Sequence, residues 1–314
     1  MSKIEQYIRD GFIILRNVVP KEYISDLREI GFELLEEKRK AGQISIYTSE
    51  FVKHEKLLSV AFLKDVVSAI RDVLGDDYVT LTQYSLTANA YSPVWHTDSQ
   101  SQRNAEYLFN KDYLISKCGL YLQEHDPVYG GSLEIIPYSH RPTLLGYRSY
   151  KRNNTRIGQI SDLQWKAIQF RNKYLLRKKL PKLNLGDVLL FHGMLVHRAS
   201  QPDFSKVVQI EKYGIKDVPK DKYKFMIQWE VSADNDFVPV YLAHQKIRAL
   251  KDGKLFEESL GVRYPESYPE ATKQLIEENG CKIRNYDEAP DSYLESNRFY
   301  LKDGTPIVFL HKNV

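Results

Sequence analysis

Eight histidines are spread along the chain, and one of them stands two residues before a carboxylate, in the sequence His96-Thr97-Asp98. Side chains at positions i and i+2 of an extended segment point to the same side, so this imidazole and this carboxylate can reach one metal ion. A third ligand from a distant strand would complete a facial triad of two histidines and one carboxylate, which leaves positions open for a co-substrate and dioxygen. Alone, a His-x-Asp sequence is a weak signal, because it also occurs at the ends of surface strands.

Two further segments strengthen the metal-site hypothesis. Residues 185–200 form the pattern of a turn, a buried strand and a histidine beyond it, and His192 and His197 compete for the role of the distal ligand. Residues 130–140 begin with two glycines, continue as a short apolar strand and end in Pro-Tyr-Ser-His. Together with the His-x-Asp sequence, they predict strands that carry ligands to one place.

Short strands are the predicted elements that would position these residues. Residues 78–91 are rich in Thr, Tyr, Val and Leu, a composition typical of strands. Further strand candidates are residues 12–15, 118–122, 132–136, 187–191 and 224–231, and helical patterns cover residues 20–40, 56–74 and much of the chain after residue 234. Because the strands are short and separated by turns, the sequence favours an antiparallel sandwich or barrel over a parallel sheet.

Composition and charge exclude several classes of protein. The 314 residues are 42% hydrophobic and 27% charged, which is an ordinary globular balance. A formal net charge of +4 is too small to predict a nucleic-acid partner by itself. The two cysteines fit a reducing compartment. The start of the sequence is polar, and the sequence contains no apolar run long enough to span a membrane. We therefore expect a cytoplasmic protein with no membrane or nucleic-acid partner; the sequence does not indicate the oligomeric state.

Residues 141–182 have a large local excess of positive charge. They hold twelve Lys or Arg residues and one acid, Asp162, and they interrupt the predicted β region as an insertion. One interpretation is a solvated, partly helical surface. The other is a basic lid over an anionic substrate, with Arg148, Lys151 and Arg152 as the candidate substrate-binding residues.

Taken in order, the three motifs resemble the phytanoyl-CoA dioxygenase family of iron(II)/2-oxoglutarate oxygenases, over roughly residues 8–232. The resemblance implies a mainly β fold with flanking helices and a double-stranded β-helix (jelly roll, cupin-like) core. It implies iron(II), 2-oxoglutarate and dioxygen at the site, with His96, Asp98 and His197 as the iron ligands. In the family a Phe-His pair, here residues 191–192, precedes the ligand histidine, so His192 matches a position that does not bind the metal. Tyr138 stands where the family usually has glycine.

A second departure from the family concerns the co-substrate. The family places an arginine on the strand after the distal histidine, where it binds the 5-carboxylate of 2-oxoglutarate, and no arginine opens that strand here. Lys224 and then Lys222 are the replacements that we consider first, as point charges without the planar fork of arginine. Lys117, at the start of the strand at residues 118–122, is a further candidate. Arg198 is a weaker one, because it directly follows the ligand and should point the other way.

We predict a single oxygenase domain over residues 1–314, with a core at about 8–232, the basic insertion at 141–182 and a helical C-terminal extension from about 234. The resemblance implies hydroxylation of a small molecule, and we favour a polar metabolite of a biosynthetic or tailoring pathway. An acyl-CoA hydroxylase, a metal-binding cupin-like protein that is not an oxygenase, and a non-enzymatic binding protein remain alternatives. An intact Asp98 argues against halogenation, whereas desaturation or ring closure would use the same triad.

Overall fold

The structure is a computed structural model of the chain. It describes residues 1–40, 45–88, 95–98, 108, 110–141, 163, 166–167, 170–203, 205–206, 210–211, 214–215, 218–252, 260–289, 298–300 and 306–308. The three segments that carry the predicted motifs of the metal site lie within these ranges.

Helices and short strands alternate in the N-terminal part. Helix α1 (Lys3–Asp10) begins with a capping box between Ser2 and Glu5 and is followed by the left-handed residue Gly11. The next elements are β1 (Phe12–Leu15), α2 (Lys21–Lys40), β2 (Ser45–Tyr47), α3 (Thr48–Phe51), α4 (Glu55–Ser59), a 3-10 turn (Val60–Phe62) and α5 (Lys64–Leu74). The predicted helix at residues 56–74 is therefore divided, because Leu63 has the extended ψ of 139°.

Strands make up the middle of the chain, and helices return near its end. The strands are β3 (Val79–Ala88), β4 (Ser116–Tyr121), β5 (Leu133–Ile135), β6 (Val188–His192), β7 (His197–Ala199), β8 (Ile210–Glu211), β9 (Gly214–Ile215) and β10 (Phe225–Ser232). They are followed by helices α6 (Phe237–Asp252) and α7 (Glu270–Glu278) and by strands β11 (Lys282–Arg284), β12 (Arg298–Tyr300) and β13 (Pro306–Val308). No helix among the described residues is long and apolar enough to cross a membrane.

Two sheets confirm the predicted double-stranded β-helix architecture. The larger sheet has the order β1-β6-β4-β10-β3-β11, with β2 also paired to β3, and its pairings are antiparallel except that of β11 with β3. The smaller sheet pairs β5 with β7. Isolated bridges from His96 to His197 and from Ile135 to Lys179 widen this smaller sheet on both sides.

The larger sheet has an outer face that is covered by helices. Phe225, Ile227 and Trp229 of β10 lie in the largest apolar cluster, together with Leu27 of α2 and Ile70 of α5. All five side chains are buried. Burial of this kind of surface is the main term that holds the helices against the sheet.

The inner face of the same sheet looks toward the smaller sheet. Leu189 and Phe191 of β6 form a second apolar cluster with Leu133 and Ile135 of β5, and Met226 of β10 packs against it. Because side chains alternate along a strand, the residues of β10 that share the parity of Met226 also point inward. The inner face is where the candidate site lies.

The basic segment is described only in part. Its residues 142–162 lie outside the described residues, and so do Arg148, Lys151 and Arg152. Its described part contains a π-helical turn at Arg171–Leu175, after which Lys179 pairs with Ile135 of the smaller sheet. Arg171 donates to the carbonyl of Ser139 at 2.8 Å, so this basic residue supports the loop after β5.

The turn before β6 gives a prediction about stability. Gly186 has a φ of +88°, its carbonyl accepts from Val18 N and Val19 N at 3.0 Å each, and a Cβ there would lie 2.3 Å from the carbonyl oxygen of Val19. We expect Gly186→Ala to lower the free energy of unfolding by at least about 2 kcal/mol more than Gly75→Ala, in chemical denaturation. Gly75 is the matched control, because its φ is +93° but a Cβ there meets nothing within 4 Å. Its replacement should cost only backbone strain, about 1–3 kcal/mol, because its ψ of 165° lies in a region that is almost exclusive to glycine. Equal losses in the two variants would contradict the close approach at Gly186.

Candidate metal centre

A pair of backbone hydrogen bonds brings the two predicted histidine ligands together. His96 N donates to His197 O at 3.0 Å, and His197 N donates to His96 O at 2.9 Å. The ring centroids of the two histidines lie 4.4 Å apart. His96, Asp98 and His197 each offer one ligand atom, and these three atoms all lie within 4.8 Å of one another. One cation can therefore contact all three.

The protonation state and the hydrogen bonding of His197 suit a metal ligand. Its Nδ1 lies 2.8 Å from the carbonyl oxygen of Leu195, to which it donates in the neutral tautomer protonated at that nitrogen. Burial lowers the pKa of His197 to about 4, so the ring is neutral near pH 7. Its Nε2, 3.7 Å from Asp98 Oδ1, then carries the lone pair that a metal ion needs.

Asp98 is ionised, and one of its carboxylate oxygens lacks a hydrogen-bond donor among the described residues. Burial by itself would raise the pKa of this carboxyl, but Lys117 and the two histidines lower it below its usual value. Lys117 Nζ lies 3.4 Å from Oδ1. The other oxygen, Oδ2, is buried and has no hydrogen-bond partner among the described residues. A buried carboxylate oxygen without a donor is costly, and a bound cation would remove that cost. The residues present therefore fit an iron(II) ion.

His192 is engaged in a different way. Its Nε2 lies 2.7 Å from the carbonyl oxygen of Tyr113, and its Nδ1 accepts from the backbone of Met194 at 3.0 Å. Both ring nitrogens are thus used by the protein, and burial lowers the pKa of His192 to about 4. His192 fixes the turn between β6 and β7 and has no nitrogen left for a metal.

The four basic candidates for the co-substrate anchor occupy different environments. Lys224 is 3% exposed and directly precedes β10, with the inward parity of Met226. Lys222 lies in a 3-10 turn (Lys220–Lys222) with 43% of its side chain exposed and its Nζ 3.3 Å from Asp126 Oδ2. The turn therefore carries Lys222 to the surface, away from the inner face toward which Lys224 points.

Lys117 and Arg198 are each paired with carboxylates. Lys117 Nζ lies between Asp98 and Glu230, 3.6 Å from Glu230 Oε1, which places it beside a ligand of the metal. Arg198 pairs with Glu134 across the smaller sheet, with its Nη2 2.7 Å from Glu134 Oε2, and lies over the ring of Trp95. Its side chain points away from the inner face, as expected for the residue after His197.

Tyr138 has a backbone conformation that favours glycine. Its φ is +67°, in the left-handed region that non-glycine residues seldom adopt. Its amide donates to the carbonyl of Asp10 at 3.0 Å, and the hydroxyl of the next residue, Ser139, accepts from the amide of Val196 at 2.8 Å. The Pro-Tyr-Ser-His loop thus holds the segment before His197 and has a structural role.

One buried carboxylate near the site was missed in the sequence. Glu230 is 2% exposed on β10, directly opposite Lys117 in the register of β4, and accepts from the hydroxyl of Tyr241 on α6. The sequence does contain a sign of it, because Glu230 is a charged residue within the mainly apolar strand Phe225–Ser232 and has the inward parity of Met226. Tyr241 gave no such signal, because its contact depends on how α6 meets the sheet.

The sequence matches the model of one protein family. The model described as "Phytanoyl-CoA dioxygenase (PhyH)" matches residues 7–203, which is more than half of the chain. No curated protein sequence matches this chain.

Several solved structures have a similar fold at low sequence identity. The "non-heme alpha ketoglutarate dependent epimerase SnoN from nogalamycin biosynthesis" is 12% identical with a TM-score of 0.47, over 74% of this chain and 81% of that chain. EctD from S. alaskensis is 19% identical with a TM-score of 0.46, over 74% and 76%. AviO1 from Streptomyces viridochromogenes Tue57 is 15% identical with a TM-score of 0.48, over 73% and 93%.

The two histidines at the ends of the β6–β7 turn give a prediction that separates ligand from support. We expect His197→Ala to abolish iron(II) binding by the metal-free protein in an anaerobic titration. His192→Ala should keep the metal but lower the free energy of unfolding by about 1–3 kcal/mol, because buried hydrogen-bonding groups of Tyr113 and Met194 lose their partner. Metal loss in His192→Ala together with retention in His197→Ala would reverse the assignment of the distal ligand.

Proposed function

Since the chain belongs to the phytanoyl-CoA dioxygenase family, we propose that it is an iron(II)/2-oxoglutarate-dependent dioxygenase that hydroxylates a small polar metabolite. The family and its cofactors agree with those predicted from the sequence. The observation that carries the proposal is the cluster of His96, Asp98 and His197, whose ligand atoms lie within 4.8 Å of one another on the inner face of the β core.

His96, Asp98 and His197 would hold the iron on one side and leave its other positions to 2-oxoglutarate and dioxygen. When bound, the iron would activate dioxygen, which is the oxidant: 2-oxoglutarate would give up two electrons as it is converted to succinate and carbon dioxide, and the substrate would give up the other two as it is hydroxylated, with one oxygen atom of dioxygen in each product. The role of the protein in this reaction is to position the co-substrate and the substrate and to exclude water from the site. Phe191, whose ring centroid lies 5.0 Å from that of His197, shields the site on the side of the larger sheet.

Lys224 is the residue that we propose as the anchor of the 5-carboxylate of 2-oxoglutarate. It is buried and inward-facing, at the edge of β10, whereas Lys222 is exposed and paired with Asp126. Lys117 is less suitable, because it already lies between Asp98 and Glu230 and because a 5-carboxylate is held away from the metal by the length of the co-substrate. A buried carboxylate needs a cation at this end, and Lys224 supplies it.

The inner face favours a polar substrate over a fatty acyl chain. Lys117 and Glu230 place a cation and an anion beside Asp98 on the inner face. An apolar chain would desolvate the exposed part of Lys117 without offering it a hydrogen bond, whereas a substrate hydroxyl can accept one from its ammonium group.

The activity is tested by loading the metal-free protein anaerobically with iron(II) and 2-oxoglutarate, adding a metabolite extract, and identifying retained compounds by mass spectrometry. Each retained compound is then supplied with dioxygen, and we expect formation of succinate and a gain of one oxygen atom in the compound. A compound that is retained and consumed without 2-oxoglutarate would point to a metalloenzyme that is not an oxygenase. Retention without any succinate would point to a binding protein.

Replacement of the proposed anchor should selectively weaken the binding of 2-oxoglutarate. We expect Lys224→Ala to raise the Kd for 2-oxoglutarate by about tenfold or more, because a charge-assisted hydrogen bond contributes about 1.5–3 kcal/mol. Lys222→Ala is the matched control and should leave the Kd unchanged. The measurement is titration of the charge-transfer absorbance of the iron(II) complex. Equal affinity in wild type and Lys224→Ala would move the anchor elsewhere, with Lys117 as the next candidate.

Binding of 2-oxoglutarate should also take up a proton above neutral pH. Burial lowers the pKa of Lys224 to about 7, so the free protein loses this charge as the pH rises through that value. A bound carboxylate favours the charged form, so the complex regains the proton and the affinity falls with increasing pH. The pKa of neighbouring His125 is lowered by burial and by Lys224, so His125 is neutral in this range. Calorimetry at about pH 8 in two buffers of different ionisation enthalpy should show this uptake in wild type. The uptake should be absent in Lys224→Ala, and an uptake that is equal in both proteins would assign the proton to another group.

A further inference from the structure

A partly buried lysine lies between the carboxylate of the proposed metal centre and a second carboxylate. Lys117 of β4 is opposite Glu230 of β10 and Phe191 of β6 in the register of the larger sheet, so its side chain is on the inner face. Its Nζ is 3.4 Å from Asp98 Oδ1 and 3.6 Å from Glu230 Oε1, and only 17% of the side chain is exposed. These distances make Lys117 a bridge between the two anions.

Glu230 is itself held firmly from the C-terminal part of the chain. The hydroxyl of Tyr241 on α6 donates to Glu230 Oε2 at 2.5 Å. Burial and the charge of Glu230 raise the pKa of Tyr241 well above its usual value, so this hydroxyl keeps its proton and acts as a donor. The amide nitrogen of Gln83, in the orientation that satisfies its neighbours, donates to the same oxygen at 2.9 Å. Tyr241 lies beyond residues 7–203, the region that the family model matches.

The contact with Lys117 distinguishes the two oxygens of Asp98. Oδ1 faces the ammonium group, whereas Oδ2 is buried with no hydrogen-bond partner among the residues that the structure describes. A carboxylate can bind a metal ion through one oxygen or through both. Oδ1 also lies 3.7 Å from His197 Nε2, so the ammonium group sits at the edge of the metal centre. A cation fixed at Oδ1 prevents the carboxylate from rotating and so limits it to one oxygen toward the metal ion.

We propose that Lys117 is a positioning residue for the metal centre, which holds Asp98 in a one-oxygen binding mode and is itself held by Glu230 and Tyr241. This inference rests on the proposed metal centre. It assigns the C-terminal helix α6 a part in the site, because the contacts run from Tyr241 through Glu230 and Lys117 to the metal ligand. A carboxylate limited to one oxygen preserves the coordination position that the co-substrate or dioxygen requires.

A positioning role and a purely electrostatic role predict opposite results. Lys117 is a cation beside a site for a divalent cation, so loss of its charge alone would strengthen metal binding. Loss of the negative charge of Glu230 alone would weaken it. If charge were the only effect, the variants Lys117→Met and Glu230→Gln would therefore change the metal affinity in opposite directions, and the double variant would return close to the wild type.

The experiment is a double-mutant cycle on the full chain, with cobalt(II) as the metal and no co-substrate. We expect Lys117→Met, Glu230→Gln and the double variant each to weaken cobalt(II) binding by about tenfold to a hundredfold, the usual effect of removing a group that supports a ligand. The double variant should bind cobalt(II) with an affinity within about threefold of that of Lys117→Met, since both changes disrupt one chain of contacts. The visible spectrum of bound cobalt should change in Lys117→Met, because a second carboxylate oxygen enters the coordination sphere.

Controls separate this result from misfolding and from failure of the metal centre. Lys222→Met removes a lysine that is paired with Asp126 on the surface, and should change neither affinity nor spectrum. Thermal unfolding of each metal-free variant reports the loss of stability that a merely structural ion pair would cause. If the metal-free Lys117→Met protein is destabilised but binds cobalt with wild-type affinity and spectrum, the positioning role is wrong. It is also wrong if the single variants shift the affinity in opposite directions and cancel. If wild type and His197→Ala bind cobalt equally, the metal centre itself is wrong.

Discussion

The site depends on one short contact between backbones, the antiparallel bridge of His96 and His197. Metal ligands must lie within a few ångströms of a common point, and these two residues are far apart in the sequence. Two hydrogen bonds of 2.9 and 3.0 Å fix them opposite each other. On its other side, β7 pairs with β5, so that His197 also faces Ile135. The ligand is thereby held from both sides by a ladder that cannot shift by one residue without turning its side chains to the other face.

The two faces of the larger sheet serve different purposes. Its outer face buries apolar side chains such as Phe225 and Trp229 under the N-terminal helices, and this burial supplies most of the stabilisation. Its inner face combines an apolar part around Leu189 and Phe191 with charged groups at both ends of β10. The apolar part excludes water from the site, which strengthens the electrostatic interactions of the charged part.

Ionisable groups in this interior have two kinds of environment. Lys117, Asp98 and Glu230 form an alternating series of anion, cation and anion, in which each charge has an opposite neighbour. Lys224 instead has a pKa of about 7, because burial disfavours its charged form. The first arrangement suits a permanent support of a metal ligand. The second suits a group that becomes fully charged when an anionic co-substrate arrives.

The sequence determined the family, the type of core and the candidate residues. Motif spacing alone indicated His96 and Asp98 as partners, since residues two apart on an extended segment share a side. It placed strands at Phe12–Leu15, Val188–His192 and Phe225–Ser232 within one or two residues. Such features depend on local periodicity, which is written in consecutive residues.

Only the tertiary structure decided which groups meet. It showed that both ring nitrogens of His192 are used by the backbone, that Lys222 leaves the inner face in a 3-10 turn, and that Glu230 and Tyr241 join Lys117 behind Asp98. These contacts join residues from different strands and from a C-terminal helix, and their geometry follows from how the sheets close and the helix packs. No local pattern in the sequence encodes that packing, because it depends on the mutual fit of distant segments.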